Sequence, residues 1–138
     1  MGHFQSVKGL QLNLELPKKW MELGQNGFQR TLPGTLSWPN LVLTRAITTV
    51  AQGDNNVVNN KLFEWAVKSA GPGLQMADNK FKKKKGSITL LGRDNKKLAA
   101  WAFEGAVLVS WKGPAFDVGS DDVLTEEVEI AHEGFYPA

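Results

Sequence analysis

The feature that most limits what this chain can fold into is its last third, residues 98–135, where two strand-like runs flank a turn. In the first run Trp101 and Phe103 fall two apart, and Val107, Val109 and Trp111 repeat that period. Successive side chains of a strand point to opposite faces, so each set is a candidate for one buried surface. In the second run Leu124, Val128, Ile130 and His132 share a face, while Thr125, Glu127, Glu129, Ala131 and Glu133 take the other. One apolar face and one acidic face describe a sheet with a core behind it and solvent or a partner in front. Between the runs, Gly113, Pro114 and the stretch from Asp117 to Asp122 supply turn residues.

Earlier in the chain, Leu10, Leu12, Leu14 and Leu16 alternate with Gln11, Asn13 and Glu15, the pattern of a half-buried strand that Pro17 ends. Residues 18–23 and 28–32 flank Gly24 to Gly27, whose Asn26-Gly27 pair suits a hairpin turn. Leu41 to Ile47 reads as a strand with Leu41 and Leu43 facing a core. After a polar stretch, Gln52 to Asn56, comes the one convincing helix. Val58, Leu62, Trp65, Ala66 and Ser69 share its inner face and Asn60, Lys61, Glu64 and Lys68 point away; Gly71-Pro72 is its stop signal. Gly86 to Leu91 is a short strand with Ile88 and Leu90 inward, followed by a turn from Gly92 to Asn95. Short strands separated by turn signals, without βαβ alternation, predict a mainly β domain: two packed antiparallel sheets, sandwich- or barrel-like, with one amphipathic helix. With 138 residues the expectation is a single domain, 1–138.

The residues do not point to catalysis. Without cysteine there is no thiol nucleophile, disulfide frame or thiolate metal site. His132 and Glu133 are neighbours on a strand and point apart, which makes His132 a structural or interface residue rather than half of a dyad. The acidic residues Asp117, Asp121, Asp122 and Glu126 miss the spacing of a calcium loop, and no phosphate cradle or nucleophile elbow is present. No catalytic, cofactor-binding or metal site is expected. No apolar run reaches membrane-spanning length. The basic run Lys80, Lys82, Lys83, Lys84 and Lys85 around Phe81 could neutralise phosphates, but a net charge of +2 offers no second basic patch. A solvated loop is the preferred reading; pairing with an acidic strand of another subunit is a further one. Five tryptophans exceed what one domain of this size readily buries, which favours a self-associating structural protein.

Several blocks together resemble the T4-like phage tail tube proteins of contractile phages and extracellular contractile injection systems. They are Trp101 to Phe103, Val109 to Pro114, Phe116-Asp117 and Glu126 to Phe135, together with Phe4 to Leu10, Leu32 to Arg45 and Leu62 to Trp65. The resemblance covers most of the chain in the right order. It implies two packed antiparallel sheets and one helix, hexameric rings that join strands into a barrel around a lumen, and rings stacked into an inner tube. It also implies a surrounding contractile sheath, baseplate and tail-terminator partners, and a luminal cargo of protein effector or DNA. Such a subunit is assembled in the bacterial cytoplasm and becomes part of a phage tail or a phage-tail-like particle. By position the Trp20 to Leu32 hairpin resembles the family's projecting element. Trp20, Phe28, Arg30, Leu32, Trp38, Trp111 and Phe116 are therefore the candidate subunit-interface residues. Two alternatives are a baseplate tube-initiator ring of the same family and a small nucleic-acid-binding module using Lys80 to Lys85.

Overall fold

A computed structural model describes residues 2–16, 34–47, 49–52, 55–58, 60–69, 83–115, 119 and 122–138. The element order is β1 (Ser6–Lys8), β2 (Asn13–Leu14), β3 (Leu36–Ser37), β4 (Leu41–Ala46), β5 (Thr49–Gln52), β6 (Asn55–Val58), α1 (Lys61–Ser69), β7 (Lys84–Leu91), β8 (Lys97–Lys112), β9 (Thr125–Ala131) and β10 (Gly134–Pro137). Six strands form a curled antiparallel sheet in the order β1-β4-β9-β8-β10, with β7 also on β8; β2-β3 and β5-β6 are separate two-stranded ribbons. The β5-β6 ribbon, which the sequence does not predict, takes in both ends of the polar stretch from Gln52 to Asn56. The Gly24 to Gly27 turn lies outside the described residues.

The 16-residue strand β8 carries the architecture, because it belongs to two layers. Its C-terminal part pairs with β9, extending a sheet through β4 to β1, and its N-terminal part lies between β7 and β10. The corner is Gly105, at φ 64°, a left-handed conformation that costs a residue with a Cβ about 1–2 kcal/mol. Opposite it, His132 and Glu133 separate β9 from β10, and Gly134 has φ 142°. The two packed sheets expected from sequence are thus two halves joined through one bent strand.

This bend also resets the alternation. Phe103 is buried before Gly105, and after it Ala106 and Leu108 are buried instead of Val107 and Val109. A second irregularity between Leu108 and Ser110 leaves Val109 57% exposed and brings Trp111 opposite Val128. A bulge adds one residue to one strand and so exchanges its faces. The expected face Val107, Val109 and Trp111 is therefore wrong for Val107 and Val109.

The core joins Leu41 and Leu43 of β4, Phe103, Ala106 and Leu108 of β8, Val128 and Ile130 of β9, and Leu62 and Trp65 of α1. The helix meets its expected face: Leu62, Trp65 and Ser69 point inward, Ala66 is half-buried, and Lys61, Glu64 and Lys68 are exposed. It starts later than its apolar period suggests, after Asn60, whose carbonyl accepts the Glu64 N–H at 2.9 Å. Val58 therefore belongs to β6, not to the helix. Ile88 packs against the core, but Leu90 is 51% exposed rather than inward.

The expected half-buried strand from Gly9 to Leu16 is corrected more thoroughly. Among the described residues only Asn13 and Leu14 of this stretch pair as a strand, with Ser37 and Leu36, and Leu12, Leu14 and Leu16 are 55%, 48% and 54% exposed. Alternation reports an extended backbone; burial requires a second layer, and this ribbon has none among the described residues.

Candidate assembly surface

The strand registers of β1, β4, β9 and β8 set the faces of the larger layer. Val7, Leu43, Val128 and Trp111 form one row on the core side, with Leu41, Ile130 and Leu108 beside it. The next pair on that side is Arg45 opposite Glu126. Both are buried; Arg45 Nε donates to Glu126 Oε1, and Trp111 Nε1 donates to Glu126 Oε2 at 2.9 Å. Phe4 lies under the Arg45 guanidinium, 5.9 Å from its ring centroid. The acidic strand thus sends one carboxylate inward. The signal is present in the sequence, since Glu126 is in phase with Val128 and Ile130, and Arg45 with Leu41 and Leu43, but charge obscures it.

On the opposite side two polar rows cross the layer. One runs Lys8, Val42, Glu129 and Ser110; the other runs Ser6, Thr44, Glu127 and Lys112. Two cations and two carboxylates balance there. Lys112 Nζ donates to Glu127 Oε1 at 2.9 Å, which holds the Lys112 ammonium above the ordinary lysine range, and Asn40 Nδ2 donates to Glu129 Oε1 at 2.8 Å.

Of the candidate interface residues, Trp20, Phe28, Arg30, Leu32 and Phe116 lie outside the described residues. Trp38 and Trp111 are half-buried and belong to separate aromatic groups. Trp38 meets Phe135 edge-on at 4.9 Å and His132 at 6.0 Å, and Trp111 meets Phe63 edge-on at 5.1 Å. His132 is a local bracket: Nε2 lies 3.1 Å from the Pro39 carbonyl and Nδ1 accepts the Gly134 N–H at 3.2 Å. An accepting Nδ1 identifies the neutral tautomer that donates from Nε2.

Lys80 and Lys82 of the basic run lie outside the described residues. The described remainder is exposed, but from Lys84 on it is strand rather than loop. Lys84 and Lys85 open β7; Lys83 pairs with Glu133, Lys84 Nζ stands 5.0 Å from the Trp65 ring centroid, and Lys85 pairs with Glu104 at 2.9 Å. Each described lysine therefore has a counterpart within its own chain, which leaves less charge for phosphate binding. Hydrogen bonding to Lys85 holds the exposed Glu104 carboxyl below its ordinary range and lifts Lys85 above its own. The bridge contributes above the unfolded-state carboxylate midpoint, fades as pH falls through the lowered Glu104 midpoint, and is lost again as pH rises through that of Lys85. Lys85→Met should move the Glu104 carboxylate titration, followed by NMR, upward; an unmoved curve would mean that the bridge is absent in solution.

No curated protein matches this chain. Among solved structures, it aligns at 23% identity and a TM-score of 0.70 with a chain of the PVC sheath-tube complex of an extracellular contractile injection system in its extended state, covering 99% of this chain and 80% of that one. With a chain of the anti-feeding prophage baseplate the TM-score is 0.75 at 20% identity, with the same coverages. With Hcp1 from Flavobacterium johnsoniae it is 0.50 at 22% identity, covering 94% and 84%. At these identities the likeness shows a shared fold. The profile described as T4-like virus tail tube protein gp19 matches residues 1–136, and with that match the chain belongs to the T4-like tail tube family of structural proteins.

Proposed function

We propose that this chain is the repeating subunit of the inner tube of a contractile injection particle. Six copies close into a ring, rings stack, and the joined sheets enclose a lumen that conducts cargo inside a contractile sheath. The observation that carries this reading is the pair of balanced polar rows on the side of the β1-β4-β9-β8 layer away from the core. A wall of balanced charges among small side chains does not trap an anionic cargo. The sheet is also open: among the described residues β1 pairs only with β4 and β7 only with β8, and joining copies would satisfy such edges. The subunit acts through assembly and not through catalysis, so its expected partners are further copies, sheath, baseplate and terminator proteins, and a protein or DNA cargo. It is assembled in the bacterial cytoplasm as a single-domain building block.

Electron microscopy of the purified protein at high concentration, and of native particles, tests this. Sixfold rings and stacked tubes are expected; a strictly monomeric chain with no ring in the particle would overturn it. The match to a baseplate chain favours a second reading, a tube initiator. An initiator contributes one ring per particle and a main-tube subunit many, so copy number separates the two.

A further inference from the structure

Alternation alone leaves the alignment of β4 on β9 open. Sliding β4 by one residue would turn its inner side chains to water, but sliding it by two keeps every side chain on its own face. In the observed register Leu41 stands opposite Ile130, Leu43 opposite Val128 and Arg45 opposite Glu126. Moved by two in one direction, Leu43 would meet Ile130 and Arg45 would meet Val128. Moved in the other, Leu41 would meet Val128 and Leu43 would meet Glu126. Leucine, valine and isoleucine exchange such partners at small cost, so the apolar residues choose weakly among the three.

The outer face chooses weakly too. Across the same two strands Val42 stands opposite Glu129, Thr44 opposite Glu127 and Ala46 opposite Thr125, with no cation facing a carboxylate. The hydrogen bond from Asn40 to Glu129 is exposed, and Glu127 is held by Lys112 of β8. The buried pair differs. A slide of two residues, about 7 Å, would leave Arg45 or Glu126 facing an aliphatic side chain inside the core, where a charge is costly. Glu126 is also fixed from its other side by Trp111 Nε1 at 2.9 Å, and Trp111 stands edge-on to Phe63 of α1.

We infer that the buried Arg45–Glu126 pair is a register lock, which selects the observed alignment of β4, with β1 moving alongside it, over the two that the face pattern also allows. Buried ion pairs suit this use because they add little net stability but penalise a misplaced partner heavily. The lock also fixes the far side of the layer, where Lys8 shares a row with Glu129, and Ser6 with Glu127 and Lys112. It does not depend on the tube-subunit reading.

The chain has no cysteine, so engineered cysteine pairs report the register cleanly. Thr44→Cys with Glu127→Cys closes a disulfide across the observed register. Val42→Cys with Glu127→Cys, or Thr44→Cys with Glu129→Cys, closes one only after a slide of two, because diagonal neighbours stand about 7–8 Å apart. Oxidised at dilution and read by mass spectrometry after labelling of free thiols, the otherwise wild-type chain should form the first disulfide and at least about tenfold less of the other two. Arg45→Met with Glu126→Leu should raise the slipped disulfides at least about tenfold while melting above Glu126→Ala. Val128→Ala, which loosens the same core without touching a charge, should leave them at the wild-type level. Glu126→Gln serves if the double variant fails to fold, and should raise them by a smaller factor. Slipped disulfides that stay at the wild-type level when the pair is removed would overturn the inference, and so would an equal rise in Val128→Ala. Either result leaves the tube reading standing, since ring formation is read separately by electron microscopy.

Discussion

Glu126→Ala is expected to cost about 3–5 kcal/mol of folding stability, measured by urea or thermal denaturation, the range for removing one partner of a buried ion pair. Side-chain exposure is 3% for Arg45 and 7% for Glu126, so water cannot readily replace the lost carboxylate. Two consequences add. The Arg45 guanidinium loses the Glu126 carboxylate inside the core, and Trp111 Nε1 loses the acceptor at 2.9 Å. Glu126→Gln keeps an acceptor near both groups and should cost roughly half as much. The pair itself is not a large net stabiliser. Arg45→Met combined with Glu126→Leu should therefore recover the share due to the ion pair, though not that of Trp111 Nε1, giving a favourable coupling in a double-mutant cycle. A Glu126→Ala protein within about 1 kcal/mol of wild type would show that the pair is solvated in solution.

The second large effect is expected at Gly9, which leaves β1 with φ 91°. Its Gln11 neighbour donates an N–H back to the Gly9 carbonyl at 2.7 Å, making a tight exit from the strand. A Cβ added here would collide with the Asn40 carbonyl oxygen and lie 3.0 Å from its carbon and 3.3 Å from Leu41 Cα. These are backbone atoms at the start of β4, and Leu41 is fully buried, so no flexible side chain can move aside. Gly9→Ala combines left-handed strain with separation of β1 from β4. Its expected cost is on the order of 3 kcal/mol or more. Gly92→Ala is the control: the atoms nearest its Cβ would be the Asp94 and Leu98 side chains, at 3.1 Å and 3.5 Å, and the change should stay under about 1 kcal/mol. Equal stabilities for the two variants would refute the packing at Gly9.

Much of this fold is readable where a single period runs unbroken between turn residues. Leu41 and Leu43 are inward, and Val128 and Ile130 are inward with Glu127 and Glu129 opposite. Leu62 and Trp65 lie on the buried side of the helix. In each case a local conformation with a fixed repeat carries one side of the chain toward the core. The family resemblance is legible for the same reason, since the blocks that carry it follow one another in a fixed order along the chain.

By itself the sequence determined the β class, the helix with its apolar face, and the turn from Gly92 to Asn95. Only the tertiary structure decided where β8 changes face, because a bulge at Val109 and a left-handed corner at Gly105 are defined by which strands lie alongside. It also decided that Glu126 is inside while Leu12, Leu14 and Leu16 are outside. Burial depends on what stands behind a residue: a carboxylate can enter the core when an arginine from another strand meets it, and a leucine stays wet when no second layer arrives. Both conditions are set by segments distant in the chain, and no local period encodes them.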